Sequence, residues 1–131
     1  MATVTASLTL SSPDLTGDNL SLSTSSTLTK AGTVTGLDQT TGVSRKTFTT
    51  NSIQTLIDKG DYADDKAHKV YIRNTSSVAT EHILVTIEAQ LLGRLYAGDW
   101  ALLPFNGDQD IKITPSVSTA LTVEFMVIYE A

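Results

Sequence analysis

Two histidines, fourteen acidic residues and a generous supply of Ser and Thr hydroxyls are the groups in this chain best suited to moving protons, holding a metal or attacking a substrate. Hydrolytic triads need a nucleophile, a base and an orienting group brought together in space. His68 and His82 each stand at or near the start of an expected strand, and neither belongs to a motif. There is no Gly-Xaa-Ser-Xaa-Gly elbow, no Gly-rich phosphate cradle and no His-Glu-Xaa-Xaa-His pattern. A glycosidase works with two carboxylates at a set separation, and nothing selects one pair from the fourteen acids. Calcium is the better question, because Asp61, Asp64 and Asp65 share one loop while Asp108 and Asp110 share another. Their spacing departs from the calcium loop of alternating ligands around a central glycine, so acidic turns that solvate a β protein are the expectation. No catalytic residue, metal or cofactor is expected, and the chain does not read as an enzyme.

Charge narrows the partners. A net charge of −5 and a pI near 4.7 oppose binding to phosphates, which needs clustered Lys and Arg. The nearest approach to such a cluster is Lys66, Lys69 and Arg73, and Asp64 and Asp65 directly precede it. No nucleic-acid partner is expected. The absence of cysteine removes disulfides, thiolate nucleophiles and Cys-based zinc sites, which suits assembly in a reducing cytosol. No apolar run approaches the ~18 residues of a membrane span. The opening Met1-Ala2-Thr3-Val4-Thr5-Ala6 lacks the basic and apolar regions of a signal peptide. The expectation is therefore a protein with no membrane partner that is not exported by the usual route.

The elements that would position any site are strands. Charged residues make up 18% of the chain, below the ~25% of ordinary domains, and Ser and Thr, roughly a quarter of it, fill the difference. Val4, Ala6, Leu8 and Leu10 alternate with Thr3, Thr5, Ser7 and Thr9, the period of a half-buried strand. A turn region at 11–19 precedes a second alternating run, with Leu20, Leu22 and then Leu28 inward; the two runs read as a polar-faced pair near the surface. Residues 1–12 also suit an N-terminal β-arm that pairs with a neighbour's sheet edge. Lys46–Thr50 reads as a short strand, and Ile53, Leu56 and Ile57 stand at helical spacing behind Asn51 or Ser52, predicting one short helical turn. Strands are expected over His68–Arg73 and His82–Ala89, with Gln90–Tyr96 as an extension beyond a bend at Gly93, and over Ile111–Ile113 and Leu121–Tyr129. Asn106-Gly107 is the strongest short turn signal. At 131 residues this is one all-β domain, an antiparallel β-sandwich of about eight strands with the jelly roll among its possible types.

Apolar residues also stand where a single core does not require them. Opposite Phe125 the last strand carries Met126 and Ile128 beside Glu124 and Glu130, where a solvent face would be wholly polar. The segment 94–105 gathers Tyr96, Trp100 and Phe105 around a turn. Two readings follow: the protein's own loops cover that second face, or these residues form a subunit interface, where aromatics and Met are enriched. The candidate interface residues are Tyr96, Trp100, Phe105, Met126 and Ile128.

Lys69-Val-Tyr-Ile-Arg-Asn74, Leu95-Tyr-Ala-Gly-Asp-Trp-Ala-Leu-Leu-Pro-Phe105 and Val123-Glu-Phe-Met-Val-Ile-Tyr129, with Thr5-Ala-Ser-Leu-Thr-Leu10 and Asp18-Asn-Leu-Ser-Leu-Ser23, resemble small virion proteins of tailed bacteriophages, particularly those infecting marine and freshwater bacteria. The likeness spans most of the chain through diffuse strand and turn signatures. It implies a β-sandwich that decorates or cements a capsid, assembled in the host bacterial cytoplasm and located in the virion. It also implies contacts with the major capsid protein or other virion proteins, as a dimer or trimer, and it carries over no catalytic residue. A tail, neck or fibre protein of the same kind of virion is the alternative. From a different class, a carbohydrate-binding β-sandwich would use Tyr96 and Trp100 as a sugar platform.

Overall fold

The structure is a computed structural model and describes residues 3–131; Met1 and Ala2 of the expected arm lie outside the described residues. Among the described residues there are eleven strands: β1 (Thr5–Ser12), β2 (Leu20–Thr27), β3 (Gln39–Thr40), β4 (Ser44–Phe48), β5 (Gln54–Ile57), β6 (His68–Asn74), β7 (His82–Ile87), β8 (Gln90–Tyr96), β9 (Trp100–Phe105), β10 (Ile111–Pro115) and β11 (Leu121–Tyr129). One sheet runs β5-β10-β7-β8; the other runs β3-β11-β6-β9, with β4 also paired to β11. The pairs β4·β11, β5·β10, β6·β9 and β7·β8 nest like the rungs of one long hairpin whose tip lies at Glu88-Ala89. Wrapping that hairpin brings β6 beside β11 and β7 beside β10, and the result is a jelly roll of eight antiparallel strands. The expectation of about eight strands thus describes the body, to which β1, β2 and the two-residue β3 are added.

The core lies between the two sheets. Val70 and Ile72 of β6, Ile83 and Val85 of β7, Ile111 and Ile113 of β10, and Leu121, Val123 and Val127 of β11 meet Phe48, Leu56, Ile57 and Phe105 there. Each contributes by the alternation of its strand, and burying one such side chain is worth roughly 1.5–3 kcal/mol. Three aromatics close one end, since Tyr62 stands edge-on to Phe105 and to Tyr129 at 5.5 and 5.3 Å between ring centres.

Two expectations are corrected. Residues 54–57 form β5 and no helical turn; the described helical structure is one 3-10 turn at Lys59–Asp61, capped by the Asp58 carboxylate on Gly60 N–H at 2.8 Å. A register shift opposite Ile111 and Lys112 inserts Leu56 as an extra residue, so Leu56 and Ile57 are both buried in succession. That bulge breaks the period of two and leaves Ile53, Leu56 and Ile57 looking helical. Gln90–Tyr96 does not extend β7 but folds back on it through Glu88-Ala89. Glu88 takes a positive φ of 50° there, held by its N–H on the Asp110 carbonyl at 3.0 Å and its carboxylate on Asp110 N–H at 3.2 Å.

Asn106-Gly107 bends the chain without forming a hairpin turn, because the strands it joins lie in opposite sheets. Gly107 has φ +99°, and a Cβ there would stand 2.1 Å from the Ala63 carbonyl oxygen. The loop before β6 crosses at that point, fastened by Lys66 N–H on the Asn106 carbonyl at 3.2 Å. Gly107→Ala is therefore expected to lower stability by about 2 kcal/mol or more; thermal unfolding of the two proteins side by side checks this.

Candidate functional site

His68 and His82, the two residues best suited to proton transfer, are far apart in role. His68 is fully buried among Tyr62, Phe105 and Tyr129. Its Nδ1 stands 3.3 Å from the Glu130 backbone N–H, which can only donate. Nδ1 therefore accepts, and Nε2 carries the hydrogen that it donates to the Ala63 carbonyl at 2.9 Å. Both ring nitrogens are spent inside the protein, binding the loop at 63 and the end of β11 to β6. His82 packs on Tyr96 with ring centres 5.0 Å apart, and its buried Nδ1 has no hydrogen-bond partner.

The acidic loops are likewise tied to their surroundings. Asp110 accepts from Lys59 N–H at 2.9 Å, and Asp65 lies 3.4 Å from the Asn106 side-chain amide. Among the described residues, no three His, Asp or Glu side chains converge as a metal site would require. No helix among them is long and apolar enough to cross a membrane. Lys66 reaches to 3.8 Å from Glu130 and Lys69 bonds the Ala67 carbonyl at 2.9 Å, so the basic residues near β6 do not act as one patch.

What the fold assembles is an apolar surface. The strands β1 and β2 form their own two-stranded sheet, in unbroken register from Thr5↔Thr27 to Ser12↔Leu20. Alternation sets Ala6, Leu8, Leu10, Leu20 and Leu22 on one face and only Ser and Thr on the other. The base of this hairpin rests on the outer face of the five-stranded sheet. There Leu28 and Leu37 bury Ile128, with Val4, Ala6 and Met126 packed around them. The Glu130 carboxylate pins the base by accepting Ala31 N–H at 2.8 Å.

Further along, the cover fails. Leu8, Leu10 and Leu22 remain 36%, 46% and 45% exposed, against the inward placement expected of them. Across from Leu8 stand Trp100 and Leu102 of β9, also exposed. A groove of about 290 Å³ separates Ala6, Leu8 and Thr24 from these two side chains. Beside β1 it meets a wider trough of about 400 Å³, with Tyr71, Trp100, Leu102, Met126 and Ile128 as floor and Val4–Ser7 as wall. A second exposed apolar spot lies on β8, where a register shift makes Leu92 an extra residue and leaves Leu91 and Leu92 both exposed.

The five candidate interface residues therefore part company. Phe105 is a core residue because β9 turns it inward, and Ile128, at the edge of the trough floor, is buried beneath Leu28 and Leu37 at the hairpin's base. Met126 is half-buried in the trough floor, Trp100 is open to it, and Tyr96 is exposed elsewhere. Leu95 packs inward from β8, so Tyr96 points off the outer face of the four-stranded sheet; Ala101 and Leu103 turn inward on β9, so Trp100 points off the opposite face. The two rings share no platform. Sequence reading missed the trough and the leucines above it, although Leu8-Xaa-Leu10 and Leu20-Xaa-Leu22 carried the signal.

Comparison with protein-family models, with curated proteins and with solved structures gives no match to this chain.

Tyr71 of the trough floor is held from behind by Glu124. The Glu124 carboxylate accepts from Tyr71 Oη at 2.9 Å and from Arg45 Nη2 and Nε at 3.0 and 3.1 Å. The Tyr71 hydroxyl and then Arg45 hold the Glu124 carboxyl below its ordinary value, while burial first and the Glu124 contact second push the Tyr71 phenol up. A carboxyl lowered by folding stabilises the protein above about pH 4.5, and that contribution is lost as the pH falls through the lowered value. Glu124→Gln is expected to be less stable than the native chain near pH 7, with the difference shrinking as the pH falls below about 4.5. Urea unfolding across that range checks it.

Proposed function

We propose that this chain is a structural assembly protein that works by protein–protein contact, of the kind that cements or decorates a bacteriophage capsid. One observation carries the reading: large apolar side chains stay exposed on two separate surfaces, Leu8, Leu10, Leu22, Trp100 and Leu102 at the hairpin and Leu91 and Leu92 on β8. Soluble proteins that act alone rarely leave contiguous patches of this type open. Two such surfaces suit a subunit that must hold a neighbour of its own kind and a shell subunit at once. The jelly roll is a recurrent architecture of capsid proteins, a likeness of fold that adds weight without deciding function. The diffuse sequence resemblance to small virion proteins points the same way. The partner would be the major capsid protein or another virion protein, met during assembly in the bacterial cytoplasm.

The absence of a shared face for Tyr96 and Trp100 removes the observation on which a sugar platform would rest. Adding the purified chain to phage heads that lack it is expected to raise the temperature or chaotrope concentration at which they break. Saturated heads of unchanged resistance would sink the cementing role, and labelling confined to tails would move the protein to a tail, neck or fibre.

A further inference from the structure

We infer that two copies of this chain join through the free edge of β1, each laying its hairpin over the other's trough. The hydrogen-bonding pattern identifies that edge. Leu28 N–H donates to the Val4 carbonyl at 2.9 Å, in the same register as the pairs that follow. In an antiparallel ladder the bonded residues alternate. Val4, Ala6, Leu8 and Leu10 therefore turn their backbone groups towards β2, while Thr5, Ser7, Thr9 and Ser11 turn theirs outward, where no strand among the described residues pairs with them. The trough opens on this side, lined by Thr5 and Ser7 and by no residue of β2. A strand laid in it would bond the outward groups of β1 and rest its side chains on Tyr71, Trp100, Leu102 and Met126.

Three observations make the occupant a second copy. The first is charge. Neither Thr5–Ser12 nor Leu20–Thr27 contains a charged residue, in a chain of net charge −5. Copies that repel elsewhere can meet here without opposition.

The second is the missing edge protection. Natural sheet edges are guarded by charge, proline, bulges or shortness. The body's edges follow that rule, with Pro104 in β9, Arg94 and a bulge in β8, and four residues in β5. The hairpin has eight uninterrupted pairs and none of these guards.

The third is reciprocity. Each copy has a trough without a lid and two distal leucines, Leu10 and Leu22, that line neither groove nor core. Antiparallel pairing of β1 with itself about Leu8 sets Ala6 opposite Leu10 of the second copy, so the leucine faces of both hairpins point to the same side. The distal leucines of one hairpin then lie over the trough of the other, and the two-fold axis repeats the contact. The two-fold axis thus doubles every element of the contact, giving two strand edges, two troughs and two leucine overhangs.

The inference deepens the assembly reading and can fail apart from it. Trp100 is the sole tryptophan and forms part of the trough floor, so its emission reports the contact. The purified full chain at about 100 μM should sediment as two copies. Dilution should return it to one copy, with a red shift of Trp100 emission as the trough opens to water. Thr9→Pro removes an outward donor and Leu10→Lys puts a charge on the leucine face. Each should weaken pairing by roughly tenfold or more, with melting of the body unchanged because neither residue belongs to a core cluster. Leu92→Lys, on the distant β8, should pair as the native chain does.

A native chain that sediments as one copy at that concentration overturns the inference, as does a dimer indifferent to both hairpin substitutions or lost in Leu92→Lys. A single copy that still binds heads would refute β1 pairing and leave assembly standing. A dimer that binds no virion particle would do the reverse.

Discussion

An apolar side chain on a strand must be covered, and β11 carries such side chains on both faces. Leu121, Val123 and Val127 point into the sandwich while Met126 and Ile128 point out of it. The inward set joins two sheets. The outward set recruits residues 4–37, for without Leu28 and Leu37 Ile128 would lie in water. The hairpin's base, the Ala31–Glu130 bond and the placement of β3 on the end of β11 all follow from that demand. The trough follows as well, because a hairpin anchored over Ile128 leaves open space between β1 and Trp100 and Leu102.

The fold was legible wherever the period of two ran without interruption. The last strand has the bounds its alternation predicts, and the opening pair is a polar-faced surface hairpin. Sequence periodicity failed at the two bulges. At Leu56 an extra residue buries two neighbours in succession and counterfeits a helical spacing. At Leu92 a similar shift follows a turn that contains no glycine or asparagine. Glu88 holds that turn through Asp110, twenty-two residues away, and no local pattern can announce such a contact.

The site was legible as a problem and illegible as a solution. Met126 and Ile128 correctly signalled a face needing cover, yet their types do not distinguish a second chain from an earlier part of the same one. The structure gives Ile128 to its own hairpin and leaves Met126 shared. Aromatics crowded in sequence misled for a related reason. Pleating sends Tyr96, Trp100 and Phe105 to one outer face, the other outer face and the core, so nearness along the chain was no guide to nearness in space. The trough joins β1, β6, β9 and β11, and only the wrapping order brings those strands together.

Separating the hairpin from the body has a thermodynamic consequence. A two-stranded sheet alone is marginal in water, and this one is held at its base while its distal leucines lie outside both core clusters. Opening the distal half therefore costs little of the stability of the jelly roll, whose strands close on one another without it. An element of that kind can exchange its own weak contacts for stronger ones on a neighbour while the body stays folded. The chain's distribution of polarity fits this division of labour. Most acids and bases lie on the body and its loops, with Asp14 and Asp18 in the hairpin's turn, while the strands of the hairpin carry only hydroxyls, leucines and Ala6. The hairpin is thereby the one sheet whose long strands carry no charge, proline or bulge.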